Sequence, residues 1–461
     1  MTRSQWSFAV SAFLLGGIVG AVAGGLAGRH MGRRTALLWA NVVFALGGIV
    51  IFFSPDFVTF VVGRVLLGMA SAVATVFVVK YIGEVCPSNH RAKMNVINQH
   101  GIVLGLLTAA LTTRFLLSIG SWRYIMLVMP LALAAVQTVL MLLYVPESPR
   151  WRLLQASRRG EEQLIMEQCK DDLRLLWGQA HVEDIMDDIM IQVEEDRERT
   201  SSWRNDLAQL VSTRERRRAL LVAIMVQVAQ QCSGVNAIFY FSSELMAPLS
   251  AGISLQTANV IIASANLLFT FLPYMLFRAG VGQRRLLLVS TFGVLVGQLC
   301  IMLTEAVMKK DSILTVVSLT IFVSSFSVGL GPIPWMVPVD VFPMRSIGPA
   351  LVVPVNWLFN FLVSITFIPL REKLGDTIFA PYLGLTLVSF ILIYLLYQDP
   401  QNLSVGQTKG TQQYGTYKLA IESEPPAAAS PAGSHNYSAM SDSYQQLDDS
   451  DVGPRWRRGG Q

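Results

Sequence analysis

Gln227, Gln230 and Gln231 fall at three- and four-residue steps within an apolar stretch, and Asn236 follows just beyond Gly234. Such spacing puts amides on one side of a helix, with a break expected at the glycine. An amide carries no charge at working pH, yet it both donates and accepts hydrogen bonds. That chemistry suits a neutral, polyhydroxylated ligand better than an ion. Buried Gln and Asn also bind membrane helices to one another. Four amides beside a glycine break exceed what that role needs, so they are expected to face a wet cleft.

Other residues share this character. Gln99 lies in Asn98-Gln-His-Gly-Ile-Val-Leu-Gly105, and Asn266 interrupts an apolar run. Asn356 and Asn360 flank Trp357, and Trp335 ends Gly329-Leu-Gly-Pro-Ile-Pro-Trp335. A flat aromatic face stacks on C–H surfaces while amides bond hydroxyls. Taken singly, each residue fits ordinary packing better than ligand contact; together they make a neutral polar path through the spans.

Charge is placed differently. No Asp or Glu lies well inside an apolar run; Glu84, Glu305 and Asp340 sit at ends, and Arg64 is the one clear internal charge. Carriers coupled to protons or cations usually need a membrane carboxylate. At run ends, Glu84, Glu147 and Asp340 lie among Arg33, Arg34, Arg91, Arg150, Arg284 and Arg345. These are either interfacial charges that follow topology or ion pairs that break when one side opens.

The elements positioning these residues must be membrane helices. The 461 residues are 52% hydrophobic and 15% charged, against about a quarter charged in a soluble domain. Eleven runs approach the roughly 20 residues that span a bilayer: Trp6–Ala27, Ala36–Phe53, Phe57–Ile82, Val96–Thr113, Tyr124–Val145, Ala219–Phe241, Ala258–Phe277, Leu286–Leu303, Ile313–Val337, Pro349–Phe367 and Ile378–Tyr397. Arg and Lys crowd alternate loops, which puts those loops in the cytosol, Met1 outside and the C-terminal tail inside. The net charge of +5 follows from this topology and does not point to nucleic acid. Cys86, Cys169, Cys232 and Cys300 lack metal-ligand spacing, and neither a disulfide framework nor a metal site is expected.

The expected organisation is a five-helix bundle over 1–145, a cytosolic linker with short helices over 146–218, a six-helix bundle over 219–397 and a disordered tail over 398–461. The two bundles echo each other. Gly28-Arg-His-Met-Gly-Arg-Arg34 parallels Arg278-Ala-Gly-Val-Gly-Gln-Arg-Arg285, and Glu84-Val-Cys-Pro87 parallels Asp340-Val-Phe-Pro343, in the same order. Repeated halves mark large transporter folds. The tail carries Tyr444-Gln-Gln-Leu447, a pattern that sorting adaptors read and that also arises by chance.

Together, Gly63-Arg64, Gly83-Glu-Val-Cys-Pro87 with Arg91, Asn98 to Gly105, Pro146-Glu-Ser-Pro-Arg150, Gln230-Gln-Cys-Ser-Gly-Val-Asn-Ala-Ile-Phe-Tyr240, Gly331-Pro-Ile-Pro-Trp335 and Asn356-Trp-Leu-Phe-Asn360 resemble the facilitative glucose transporters, the sugar-porter branch of the major facilitator superfamily. The resemblance runs from about Ser7 to Tyr397. It implies an all-α, polytopic major facilitator fold of two helical bundles, and hexose uniport by alternating access without enzymatic chemistry or cofactor. It maps sugar contacts onto Gln99, Gln230, Gln231, Asn236, Asn266, Trp335 and Asn360, with Gln227 and Trp357 lining the same cavity. It maps inner-gate charges onto Arg34, Glu84, Arg91, Asp340 and Arg345. A multi-pass protein of the plasma membrane, or of an endomembrane, is implied.

Against that family, the 461 residues are expected to lack a counterpart of the first transmembrane helix, Arg29 and His30 alter the first loop motif, Phe277 replaces an acidic residue in its second copy, and Asp399-Pro-Gln-Asn402 replaces the closing motif. Besides glucose uniport, the sequence leaves open a non-transporting sugar sensor, a polyol or fructose carrier, and a proton-coupled sugar carrier.

Overall fold

The computed structural model describes residues 2–399, except positions 29, 87–90, 117–121, 158, 179–181, 199–202, 243–244, 246–252, 307–310 and 343–347. Among the described residues the chain is helical, with no strand. The first half contributes α1 (Arg3–Ala27), α2 (Arg33–Phe52), α3 (Phe57–Val85), α4 (Arg91–Leu116) and α5 (Trp122–Tyr144). Four shorter helices follow: α6 (Pro149–Ser157), α7 (Glu162–Trp177), α8 (Val182–Glu198) and α9 (Trp203–Leu210). Then come α10 (Arg214–Cys232), α11 (Val235–Tyr240), α12 (Leu255–Thr270), α13 (Leu272–Arg278), α14 (Gln283–Ala306), α15 (Ser312–Val328), α16 (Ile333–Val341), α17 (Gly348–Leu374) and α18 (Phe379–Leu396).

Among the described residues, eleven stretches are long and apolar enough to cross a membrane. Their starts follow local chemistry. Thr2 forms a capping box with Gln5, and Asp56, Thr213, Ser254 and Asp311 accept backbone N–H bonds at the heads of α3, α10, α12 and α15, meeting donors that a helix leaves unpaired. Outward-facing side chains such as Trp39, Phe53, Phe115, Tyr144 and Leu268 stay exposed, as lipid contact requires.

Three expected spans are interrupted. Gly234, at φ 78°, divides α10 from α11. Gly329 to Pro332 separate α15 from α16, and Phe271 with Pro273 divides α12 from α13. In the first half, α1 packs closely on α3: Gly16 and Gly20 face the Val65 and Met69 carbonyls, while Gly68 faces that of Phe13. Helix α3 also packs on α2, and α2 on α5. In the second half, α14 lies against α15 and α18, and α10 against α17 and α18. Helices α1 with α17, and α4 with α12 and α16, connect the two groups. Helices α6, α7 and α8 share a small core around Leu153, Cys169, Leu173, Ile185 and Ile189.

Candidate functional site

The breaks at 233–234 and 329–332 face one another, and the amides lie between them. A broken helix leaves backbone carbonyls without intrahelical donors. Gln230 Nε2 donates to the carbonyls of Leu330 (2.9 Å) and Gly331 (2.8 Å), and Gln227 Nε2 donates to Pro334 (2.8 Å). From α17, Asn356 Nδ2 donates to Gln227 Oε1 (2.6 Å) and Gln230 Oε1 (2.7 Å), while its Oδ1 accepts from Gln231 Nε2 (2.9 Å). Asn236 Nδ2 completes the chain by donating to Gln231 Oε1 at 2.6 Å.

Gln227, Gln230, Gln231 and Asn236 are thus brought together, but not as a free row facing a cleft. Much of their bonding capacity is spent on one another and on carbonyls of the facing break. The hub is Asn356, which the sequence reading singled out only as a neighbour of Trp357. Its position one turn before Asn360, on the same face, was the available signal.

The remaining predicted residues surround this network. Gln99 is buried on α4. The absence of a side chain on Gly331 admits it, since a Cβ there would sit 3.3 Å from Gln99 Nε2. Trp335 and Trp357 share one apolar cluster with Leu14 and Val353, and Trp357 packs against Phe13 of α1 with ring centroids 5.9 Å apart. Asn360 Nδ2 donates to the Tyr240 hydroxyl at 3.2 Å. Two buried polar atoms, Trp357 Nε1 and Asn360 Oδ1, have no hydrogen-bond partner. Asn266 lies apart from the network, its Oδ1 accepting from Ser327 Oγ on α15 at 2.6 Å.

Arg64 is tied to the first half. Its guanidinium donates to the Ala9 and Val10 carbonyls and lies over the Phe13 ring at 5.2 Å.

Glu84 is buried and pairs with Arg33 (2.6 Å) and Arg150 (3.1 Å), and also accepts from Ser148 Oγ (2.6 Å). Arg34 is not its partner. Successive helical residues point about 100° apart, so Arg33 turns toward α3 while Arg34 turns toward α5. There Arg34 donates to the carbonyls of Met141 and Leu142. Asp340 accepts from Gln283 Nε2 at 2.8 Å, and Gln283 Oε1 accepts from the Tyr397 hydroxyl at 2.7 Å. Burial among the surrounding helices pushes the Asp340 carboxyl up to about 6, the Gln283 bond opposing this, although the residue keeps partial exposure. The side chain of Arg91, all of Arg345 and the Tyr444–Leu447 segment lie outside the described residues.

Broken, amide-lined helices among eleven candidate spans in the described residues define a class: multi-pass membrane proteins with a buried polar network. Residues 1–405 match the sugar (and other) transporter family. Facilitated glucose transporter member 2 of Gallus gallus is 30% identical over 415 residues, spanning 88% of this chain and 74% of that protein. Member 3 of Canis lupus familiaris is 29% identical, spanning 87% and 80%. The proton:xylose symporter XylE bound to 6-bromo-6-deoxy-D-glucose superposes with a TM-score of 0.71 at 22% identity, over 86% of this chain and 87% of that one. Inward-open XylE from E. coli gives 0.67, over 88% and 87%. The chain belongs to the sugar (and other) transporter family, has the fold of the XylE sugar symporter structures, and is a transporter-family protein and not an enzyme.

Proposed function

We propose that this protein carries hexose, with glucose as the fitting substrate, down its gradient by alternating access. The observation that carries this reading is the pair of buried, unpartnered atoms, Trp357 Nε1 and Asn360 Oδ1, beside the amide network. One is a donor and the other an acceptor, so a ring bearing adjacent hydroxyls would satisfy both. Unpaired buried polar groups cost about 1–3 kcal/mol each, and a ligand that pairs them recovers that energy. The network members can exchange their mutual bonds for bonds to hydroxyls. In this reading Gln99, Gln227, Gln230, Gln231, Asn236, Asn266, Trp335, Trp357 and Asn360 line the path, and Asn356 holds it together.

Uniport is favoured by where the carboxylates stand. Glu84 and Glu305 occupy the last turns of their spans, and no amide can carry a proton. The two halves, 1–145 and 219–397, rock about the site while the linker helices and the C-terminus stay in the cytosol, with the plasma membrane the fitting location.

Purified protein in liposomes tests this. Labelled glucose should equilibrate to equal concentrations on the two sides, with or without an imposed proton gradient. Accumulation that follows the gradient would replace uniport with symport. Binding without flux would make the protein a sensor.

A further inference from the structure

The two halves build the same device at their inner ends, with one exchange. In the first half Glu147 Oε1 accepts from the Arg34 backbone N–H at 2.9 Å, and the Arg34 guanidinium donates to the Leu142 carbonyl at 3.2 Å. In the second, Asp399 Oδ1 accepts from the Arg284 backbone N–H at 2.9 Å, and the Arg284 guanidinium donates to the Tyr394 carbonyl at 2.7 Å. Gly32 and Gly282 hold matching places, each with a carboxylate where a Cβ would stand. This superposition pairs Arg33 with Gln283 and Glu84 with Asp340. Glu84 is neutralised by two guanidiniums. Among the described residues, Asp340 meets the Gln283 amide, itself backed by the Tyr397 hydroxyl, and no guanidinium.

We propose that Asp340 is a proton-binding site at the inner end of the second half, whose protonation holds α14, α16 and the end of α18 together and slows the opening of that face. The proposal rests on the transport reading above for its effect on flux, but not for the site itself.

The groups around Asp340 support it. From α14 come neutral Gln283 and Arg284, whose side chain is turned to the Tyr394 carbonyl; beyond α18 come Tyr397 and Asp399. From α10, Arg218 reaches the Leu396 carbonyl at 3.5 Å. Glu84 on α3 is already paired. The first residues of α17, Gly348 to Val353, carry no charge. The side chains of Arg91 and Lys93 at the start of α4, and all of Arg345, are not described. Asp340 and Asp399 both raise the Tyr397 phenol, after burial itself, so the added charge in this cluster is negative. Among the described residues no cation pairs with this carboxylate, and its neutral form needs none.

The sign follows from linkage. The packed arrangement holds the Asp340 proton at about 6, above the ordinary value of 3.8 that an opened, hydrated carboxylate would regain. The packed state therefore binds the proton more tightly. It gains stability as pH falls through about 6, and that gain is absent above it. Lowering the cytosolic pH from about 7.5 to about 5 should shift the equilibrium towards packing by about tenfold.

Two measurements test it on the full chain in liposomes. The first is glucose equilibrium exchange, with equal pH on both sides, from about pH 7.5 to 5. The second is infrared difference spectroscopy of the protonated carboxyl band. The expected result is exchange that falls several-fold to tenfold as the band grows, with one midpoint near 6. In Asp340→Asn both responses vanish. In Gln283→Arg, which copies the first half's pairing, both move to lower pH. A flat exchange profile, or a wild-type pH response persisting in Asp340→Asn, overturns the proposal. If no glucose moves at any pH, the transport reading fails and the band decides alone: present in wild type and lost in Asp340→Asn, it upholds the proton site; absent, it removes it.

Discussion

Asn356 shows how one residue sets the character of a site. Its amide meets Gln227, Gln230 and Gln231 together, so an apolar replacement strands the Gln227 acceptor and leaves Gln230 Oε1 and Gln231 Nε2 only their 3.3 Å bond to each other. Asn356→Leu should cost about 2–4 kcal/mol, from the roughly 1–3 kcal/mol of each stranded buried group less local relaxation, and should depress hexose exchange; thermal unfolding in detergent measures the first and liposome flux the second. A second prediction separates neighbours. Arg33→Ala removes one of two cations on buried Glu84 and should cost about 1–3 kcal/mol, below the 3–5 kcal/mol of a lone buried pair because Arg150 remains. Arg34→Ala should leave Glu84 paired and lose only the carbonyl bonds, about 0.5–1.5 kcal/mol each. Equal destabilisation of the two variants would mean that Glu84 does not depend on Arg33.

At the scale of elements, glycines decide which helices touch. Gly68 lies against the Phe13 carbonyl, so a methyl there forces α1 and α3 apart, whereas Gly101 and Gly105 on α4 have nothing within 4 Å. Alanine is favoured over glycine inside a helix by about 1 kcal/mol. Gly101→Ala should therefore be neutral or slightly stabilising. Gly68→Ala should lower the melting midpoint, its steric cost exceeding that gain, since close packing offers no slack. Unchanged stability of Gly68→Ala would show that α1 and α3 tolerate separation. Gly17 faces the Trp357 ring, so Gly17→Ala should disturb the candidate site through α17 while both helices persist.

At the scale of the whole molecule, the linker helices bear on the first half at the last turn of α3: Arg150 of α6 pairs with Glu84 at 3.1 Å, and Trp177 Nε1 of α7 donates to the Val85 carbonyl at 2.8 Å. Trp177→Phe keeps the apolar contact and removes the donor. It should cost about 1 kcal/mol and speed proteolysis within α7 and α8 with little change in the transmembrane helices. Resistance to protease equal to wild type would mean that the small core of α6 to α8 seats itself without that bond.

Much of this was readable in the chain. Eleven apolar runs, capping residues and glycine breaks are local properties, because a bilayer demands a set length and internally satisfied backbone; they fixed the helices and placed the amides near the breaks. Which amide faces which could not be read, since Asn356 lies more than a hundred positions from the glutamines it joins. Likewise Arg33 and Arg34 are indistinguishable as letters, and only the rotation of α2 against α3 and α5 chose between them. The sequence supplied a repeated motif with Gln283 at one place; folding, which brought its two copies into matching surroundings, set a neutral amide beside Asp340 where Glu84 has a guanidinium.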